Sequence, residues 1–145
     1  MNPEEAPTIL LVDDDWDHNQ ALAKTLEGAG YRVRTAGDAP AALSILRVGS
    51  CDAVITDLLM PRQSGLELLR TIRSLRPHLP VVVLTAFGDW TSYVQAMDAG
   101  AMAYLTKPVQ REDLLASLRK TLAHRGIRAP GGGSTTSEEA AGPSA

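Results

Sequence analysis

A chain of 145 residues that is 44% hydrophobic and 21% charged has the size and balance of one globular domain, able to bury a core without staples. Its formal charge of −3, with no basic stripe, makes it a poor candidate for direct nucleic-acid binding. A single cysteine, Cys51, excludes an internal disulfide and a multi-cysteine metal site, and no stretch approaches the roughly 20 apolar residues of a membrane span. Residues 1–7 are acidic and lack the apolar centre of a signal peptide, so they are expected to form a short N-terminal extension on a cytoplasmic protein.

Five short apolar runs then alternate with five stretches of helical period. The first run, 8–12, is nearly continuous in apolar side chains, as are the third at 53–56 and the fourth at 81–84, the pattern of parallel strands buried on both faces. The second, 31–36, alternates Tyr-Arg-Val-Arg-Thr as an edge strand does, and the fifth is short, at 103–105. Leu22 and Leu26 mark the first helix, which ends at Gly28 or Gly30. Asp38 is the N-cap of the second, which carries Ala42, Ile45 and Leu46 and stops near Gly49. The third opens on Ser64-Gly65-Leu66-Glu67, a capping-box spacing, carries Leu68, Leu69, Ile72 and Leu75, and cannot pass Pro77 and Pro80. The fourth starts near Asp89, carries Val94 and Met97, and ends at Gly100; the fifth follows Pro108 with Leu114, Leu115, Leu118 and Leu122. Strict alternation with short connections predicts an α/β fold: right-handed crossovers and a parallel sheet covered by helices on both faces. Cys51, between a helix and an apolar strand, reads as a buried inert thiol. From Arg125 the composition loses its apolar period, so 8–124 is the expected domain and 125–145 a flexible Gly/Ser/Pro-rich tail or the start of a linker.

Open α/β sheets place their ligand sites at the carboxyl ends of the strands. The residues there are Asp13, Asp14 and Asp15 after the first strand, Asp57 after the third, Thr85 after the fourth, and Thr106-Lys107-Pro108 after the fifth. Two carboxylates about 4 Å apart repel by roughly 4 kcal/mol at an effective dielectric near 20. Three of them need a raised pKa on one member or a bound cation. A hard dication with oxygen ligands fits, and Mg²⁺ is the usual intracellular candidate. With an ion and Lys107 supplying positive charge, a phosphoryl group is tolerated beside the acids. Asp57 can then act as nucleophile, while Lys107 and the Thr85 hydroxyl stabilise the phosphoryl oxygens.

These residues fall in four motifs: Leu11-Val12-Asp13-Asp14-Asp15; Asp57-Leu58-Leu59-Met60-Pro61 with Gly65; Leu84-Thr85-Ala86; and Tyr104-Leu105-Thr106-Lys107-Pro108. In this order and spacing they resemble the receiver domain of two-component response regulators, over about residues 8–124. The resemblance implies a flavodoxin-like (βα)5 fold, a doubly wound parallel five-stranded sheet of order 2-1-3-4-5. It implies phosphorylation of Asp57 by a partner histidine kinase or phosphotransfer protein. It further implies Mg²⁺ held by Asp13, Asp14, Asp57 and the backbone carbonyl of Leu59, with Asp15 no direct ligand. Lys107 would contact the phosphoryl group, Thr85 would move toward it, and Tyr104 would turn inward as the aromatic switch. The face of the fourth helix, fifth strand and fifth helix would be the output surface and a homodimer surface. On this reading the protein is a switch and not an enzyme, catalysing only its own phosphorylation and dephosphorylation. Leu59 and Phe87 flank the place where water would attack and are both apolar, which predicts slow self-dephosphorylation.

Plainer readings compete at single positions. Asp13 to Asp15 also suit a solvated turn before a helix, Lys107 a surface charge, Thr85 a β-branched strand residue, and Tyr104 ordinary packing. Trp90 and Tyr93 form either a partner patch or an incidental exposed pair. Trp16 is expected to pack locally, and His18, His78 and His124, lacking ligand spacing, to be surface residues. Two rival functions stand beside the switch. One is a degenerate receiver acting as a phosphorylation-independent binding module. The other is a hydrolase or phosphotransferase working through an aspartyl phosphate; it requires an acid/base two residues past its nucleophile, where Asp57 has Leu59, although Asp13 and Asp15 do have that spacing. No DNA-binding, ATPase or cyclase pattern follows residue 124, so either a separate output partner or a missing output domain is expected.

Overall fold

The computed structural model describes residues 5–60, 64–86 and 88–130. Strands and helices alternate throughout: β1 (Thr8–Val12), α1 (Trp16–Gly28), β2 (Arg32–Ala36), α2 (Ala39–Val48), β3 (Ala53–Thr56), α3 (Gly65–Leu75), β4 (Val81–Thr85), α4 (Trp90–Asp98), β5 (Ala103–Thr106) and α5 (Arg111–Ala123). The strands form one parallel sheet in the order β2-β1-β3-β4-β5, the flavodoxin-like arrangement expected.

Each strand of the sheet's centre is apolar on both sides because both sides are covered. Leu10 and Val12 of β1, Val54 of β3, and Val81 and Val83 of β4 face the layer built from α2, α3 and α4, where they meet Leu46, Leu68, Leu69, Ile72 and Ala96. Their neighbours Ile9, Leu11, Ala53, Ile55, Val82 and Leu84 face α1 and α5, against Leu26, Leu114, Leu118 and Leu122. Burying each such Leu, Ile or Val contributes about 1.5–3 kcal/mol, so the two layers hold the sheet in one register. The edge strand β2 shows instead the alternating exposure read from its Arg-Val-Arg.

The helices begin where short acceptors end the extended chain. Asp38 and Ser64 accept the backbone N–H of Ala41 and Glu67, capping α2 and α3 as anticipated, and Asp89 caps α4 by accepting that of Ser92. Asp15 does the same for α1 by accepting from His18 N–H, a role the sequence left unassigned.

The packed chain also runs further than His124. After α5, Gly126 turns at φ 74°, the N–H of Ile127 returns to the carbonyl of Leu122 at 3.0 Å, and Ala129 is buried in the α1/α5 layer. Residues 125–130 are therefore part of the domain, because Ile127 and Ala129 add apolar surface to that layer. Residues 131–145 lie outside the described chain, as do residues 1–4.

What positions the site is the ladder at the carboxyl edge. The N–H of Asp13 donates to Ala36 O, that of Asp57 to Val12 O (both 3.1 Å), and that of Lys107 to Thr85 O at 2.8 Å. Pairing thus continues one residue beyond β1, β3 and β5. The sheet order reverses between β1 and β3, and Asp13 and Asp57 both emerge at that switch point.

Candidate functional site

Asp13 and Asp57 are both buried, and Lys107 bridges them. Its Nζ donates to Oδ2 of Asp13 and to Oδ2 of Asp57, each at 2.9 Å. The remaining oxygens are held by the local backbone: Asp13 Oδ1 accepts the N–H of Asp15 at 3.0 Å, and Asp57 Oδ1 accepts the N–H of Leu59, also at 3.0 Å. These are turn bonds two residues long, which orient each carboxylate as the chain leaves its strand.

Burial alone would raise the Asp13 carboxyl, but the hydrogen bonds from Asp15 N–H, Lys107 and His18 outweigh it and hold the group below the usual aspartate value. For Lys107 burial pulls the ammonium down, while the bonds to Asp57 and Asp13 more than reverse that and raise it. Both shifts favour the ionised pair.

Asp14 is exposed, yet carboxylate oxygens of Asp13, Asp14 and Asp57 all lie within 4.8 Å of one another. An all-carboxylate set of this kind fits a hard cation such as Mg²⁺ and does not fit a soft one. Beneath it lies a cavity of about 10 Å³, no larger than one water, lined by Leu11, Ile55 and Leu84 as well as by Asp13, Asn19 and Asp57. Asn19 is buried there, its Nδ2 donating to Ala36 O and its Oδ1 meeting no protein partner among the described residues.

The other expected residues are distributed as follows. Thr85 is the last residue of β4 and fully buried. Tyr104 lies on β5, half-buried, with its ring edge-on to Tyr93 of α4 at 5.4 Å; Tyr93 in turn stacks on Trp90 at 5.6 Å. Trp90 is 75% exposed, so this aromatic group opens onto the surface. Leu59 is half exposed above Asp57, whereas Phe87, with Pro61 of the Asp57 motif, lies outside the described residues. Trp16 is exposed and does not pack into the core. Asp15 is committed to capping α1.

At the site itself, one expectation is overturned. His18 is no plain surface residue: its Nδ1 lies 2.7 Å from Asp13 Oδ2. The signal was its position five residues after Asp13, where the first turn of α1 doubles back over the strand end, but side-chain spacing rules for helices do not reach across such a turn.

Comparison with known proteins agrees with this geometry. The family model described as response regulator receiver domain matches residues 9–119. Response regulator MprA of Mycolicibacterium vanbaalenii is 40% identical over 137 residues, covering 94% of this chain and 55% of that protein. Transcriptional regulatory protein ZraR of Escherichia coli K12 is 39% identical over 116 residues, 80% of this chain and 26% of that one. The crystal structure of a CheY-like response regulator receiver domain protein from Methanospirillum hungatei superposes with a TM-score of 0.80 at 30% identity, covering 83% of this chain and 97% of the other. The chain belongs to the response regulator receiver domain family. It spans about half the length, or less, of these curated relatives.

Proposed function

We propose that this receiver domain is a phosphorylation switch: Asp57 accepts a phosphoryl group from the phosphohistidine of a partner histidine kinase or phosphotransfer protein. The observation that carries the proposal is the Lys107 bridge, which places one ammonium 2.9 Å from the buried carboxylates of both Asp13 and Asp57. In the reaction a carboxylate oxygen of Asp57 attacks phosphorus, the bond from phosphorus to the donor nitrogen breaks, and its electron pair returns to the imidazole. Lys107 turns from the carboxylates to the phosphoryl oxygens, where its charge offsets the charge that builds there. Asp13, Asp14, Asp57 and the Leu59 carbonyl would hold Mg²⁺, which supplies neutralising charge to the phosphoryl oxygens. Thr85, buried at the end of β4, is the hydroxyl that moves toward the new group, and Tyr104 leaves Tyr93 and turns inward behind it. The surface altered is that of α4, β5 and α5, where Trp90 and Tyr93 are exposed for an output partner, an output domain or a second copy of the chain. The domain so read turns over no external substrate; its chemistry is limited to gaining and losing its own phosphoryl group. The hydrolase reading has less support, because Asp15, which would have to serve as its acid/base, already accepts a hydrogen bond as the cap of α1.

The test is incubation with acetyl phosphate, with and without Mg²⁺, followed by intact mass. A single hydroxylamine-labile phosphoryl adduct that requires Mg²⁺ and is absent in Asp57→Asn is expected. Equal labelling of Asp57→Asn rejects the reading.

A further inference from the structure

His18 has no part in the reaction just described, yet its imidazole is bonded to one of its central carboxylates. An ionised carboxylate can only accept, so the proton in the 2.7 Å contact belongs to Nδ1 of His18. Asp13 Oδ2 therefore takes two donors, His18 Nδ1 and Lys107 Nζ, while Oδ1 takes the N–H of Asp15. Each carboxylate oxygen has about two acceptor positions, so Oδ2 is full and Oδ1 retains one.

The two side-chain donors differ in what they do next. Lys107 also holds Asp57 and, on the reading above, gives up both carboxylates for the phosphoryl group. Among the described residues, the His18 side chain has no second partner of that kind. It stands on the first turn of α1, and that turn is itself fixed by the bond from His18 N–H to Asp15 Oδ1 at 3.1 Å. Among the described residues, His18 is thus the one side chain that bonds Asp13 alone, and it fixes the rotation of that carboxylate whether or not Lys107 has moved.

We propose that His18 is a positioning residue: its Nδ1–H···Oδ2 bond holds Asp13 in the orientation that takes the divalent cation, and thereby sets the Mg²⁺ affinity of the site. The proposal rests on the metal reading above. Partners that hydrogen-bond a metal ligand typically change metal affinity about 10–100-fold when removed. The imidazole is partly exposed, at 31%, so the core does not depend on it.

The experiment is calorimetric titration of the full chain and three variants with MgCl2, with melting temperature measured in metal-free buffer. Asn places its amide nitrogen where Nδ1 sits, Gln places one where Nε2 sits, and Leu supplies no donor. His18→Leu and His18→Gln are expected to bind Mg²⁺ about tenfold more weakly, with His18→Asn close to the parent and all metal-free melting temperatures similar. A Leu variant that binds as tightly as the parent overturns the proposal, and one that binds more tightly shows a competitor instead of a positioner. An Asn variant as weak as the Leu variant overturns it too. If the parent itself binds no Mg²⁺, the metal reading falls and His18's role with it, a result distinct from either variant outcome.

Discussion

Gly65, the first residue of α3, is set directly against the peptide of the phosphoacceptor, and adding one methyl group there tests how tightly fold and site are joined. A Cβ at Gly65 would collide with the carbonyl oxygen of Asp57 and lie 2.7 Å from Leu58 Cα and 2.8 Å from Asp57 C. Carbon atoms rest about 3.5–4.0 Å apart, so the two backbone segments must part by roughly 1 Å. The three nearest atoms are all main chain, so no side-chain rotation relieves the collision. The N–H of Gly65 also donates to Leu58 O at 2.9 Å, and that bond opens with the shift. Overpacking of this kind costs about 1–3 kcal/mol, and with backbone on both sides the upper figure applies. At about 4 °C per kcal/mol for a domain of this size, Gly65→Ala should melt roughly 10 °C lower. A 1 Å displacement of Asp57 relative to Lys107 should also slow labelling by acetyl phosphate on the order of 100-fold. Gly28→Ala is the control, since nothing lies within 4 Å of a Cβ there. Differential scanning calorimetry and labelling rates decide it. A Gly65→Ala protein with parental melting temperature and parental rate would refute the reasoning.

Other consequences follow from the same contacts. Asp13 is held below the ordinary aspartate value, so its contribution to stability is present above about pH 4 and is lost as pH falls through its lowered pKa. Lys107 is raised, so its contribution is complete below about pH 10 and disappears as pH rises through its folded value. Melting temperature against pH should therefore fall at both ends, and Lys107→Met should lose the alkaline limb and blunt the acid one; unchanged limbs in that variant would contradict the pairing. Leu59→Asn puts a polar group beside Asp57 and should shorten the phosphoryl lifetime, measured by decay of the adduct; an unaltered lifetime tells against the account of slow dephosphorylation. Cys51 is half-buried, not buried as its place in the sequence suggested; it lines a groove of about 290 Å³ with Leu46, Arg76 and Arg125, and its partial burial, reinforced by Asp52, pushes the thiol up to about 11. Reaction with an aromatic disulfide at pH 8 should be roughly a hundredfold slower than for the unfolded chain, and equal rates would disprove that burial.

Much of the fold could be read from hydrophobic period alone, because β1, β3 and β4 are covered on both faces and so carry unbroken apolar runs. The same runs located Asp13, Asp57 and Lys107, since a residue at a parallel strand's carboxyl end is placed by topology before any side chain is considered. His18 was not legible in that way: its bond to Asp13 depends on the angle at which α1 leaves β1, which Asp15 sets by capping. Residues 125–130 were misread for a related reason. Gly126 and Pro130 read as linker, and the alternate apolar pair Ile127 and Ala129 was too short a signal to show that the chain turns back onto the α1/α5 layer. Tyr104 was found by motif, but its edge-on contact with Tyr93 follows from how α4 packs on β5, which no spacing within either element encodes.

The most direct test of the central claim is to map where the phosphoryl group goes. The chain is labelled with acetyl phosphate and Mg²⁺ and reduced with borohydride, which converts an aspartyl phosphate to homoserine, and its peptides are sequenced. Conversion of Asp57 alone is predicted. Conversion of Asp13, Asp14 or Asp15, or a phosphoryl group recovered on His18, would contradict it.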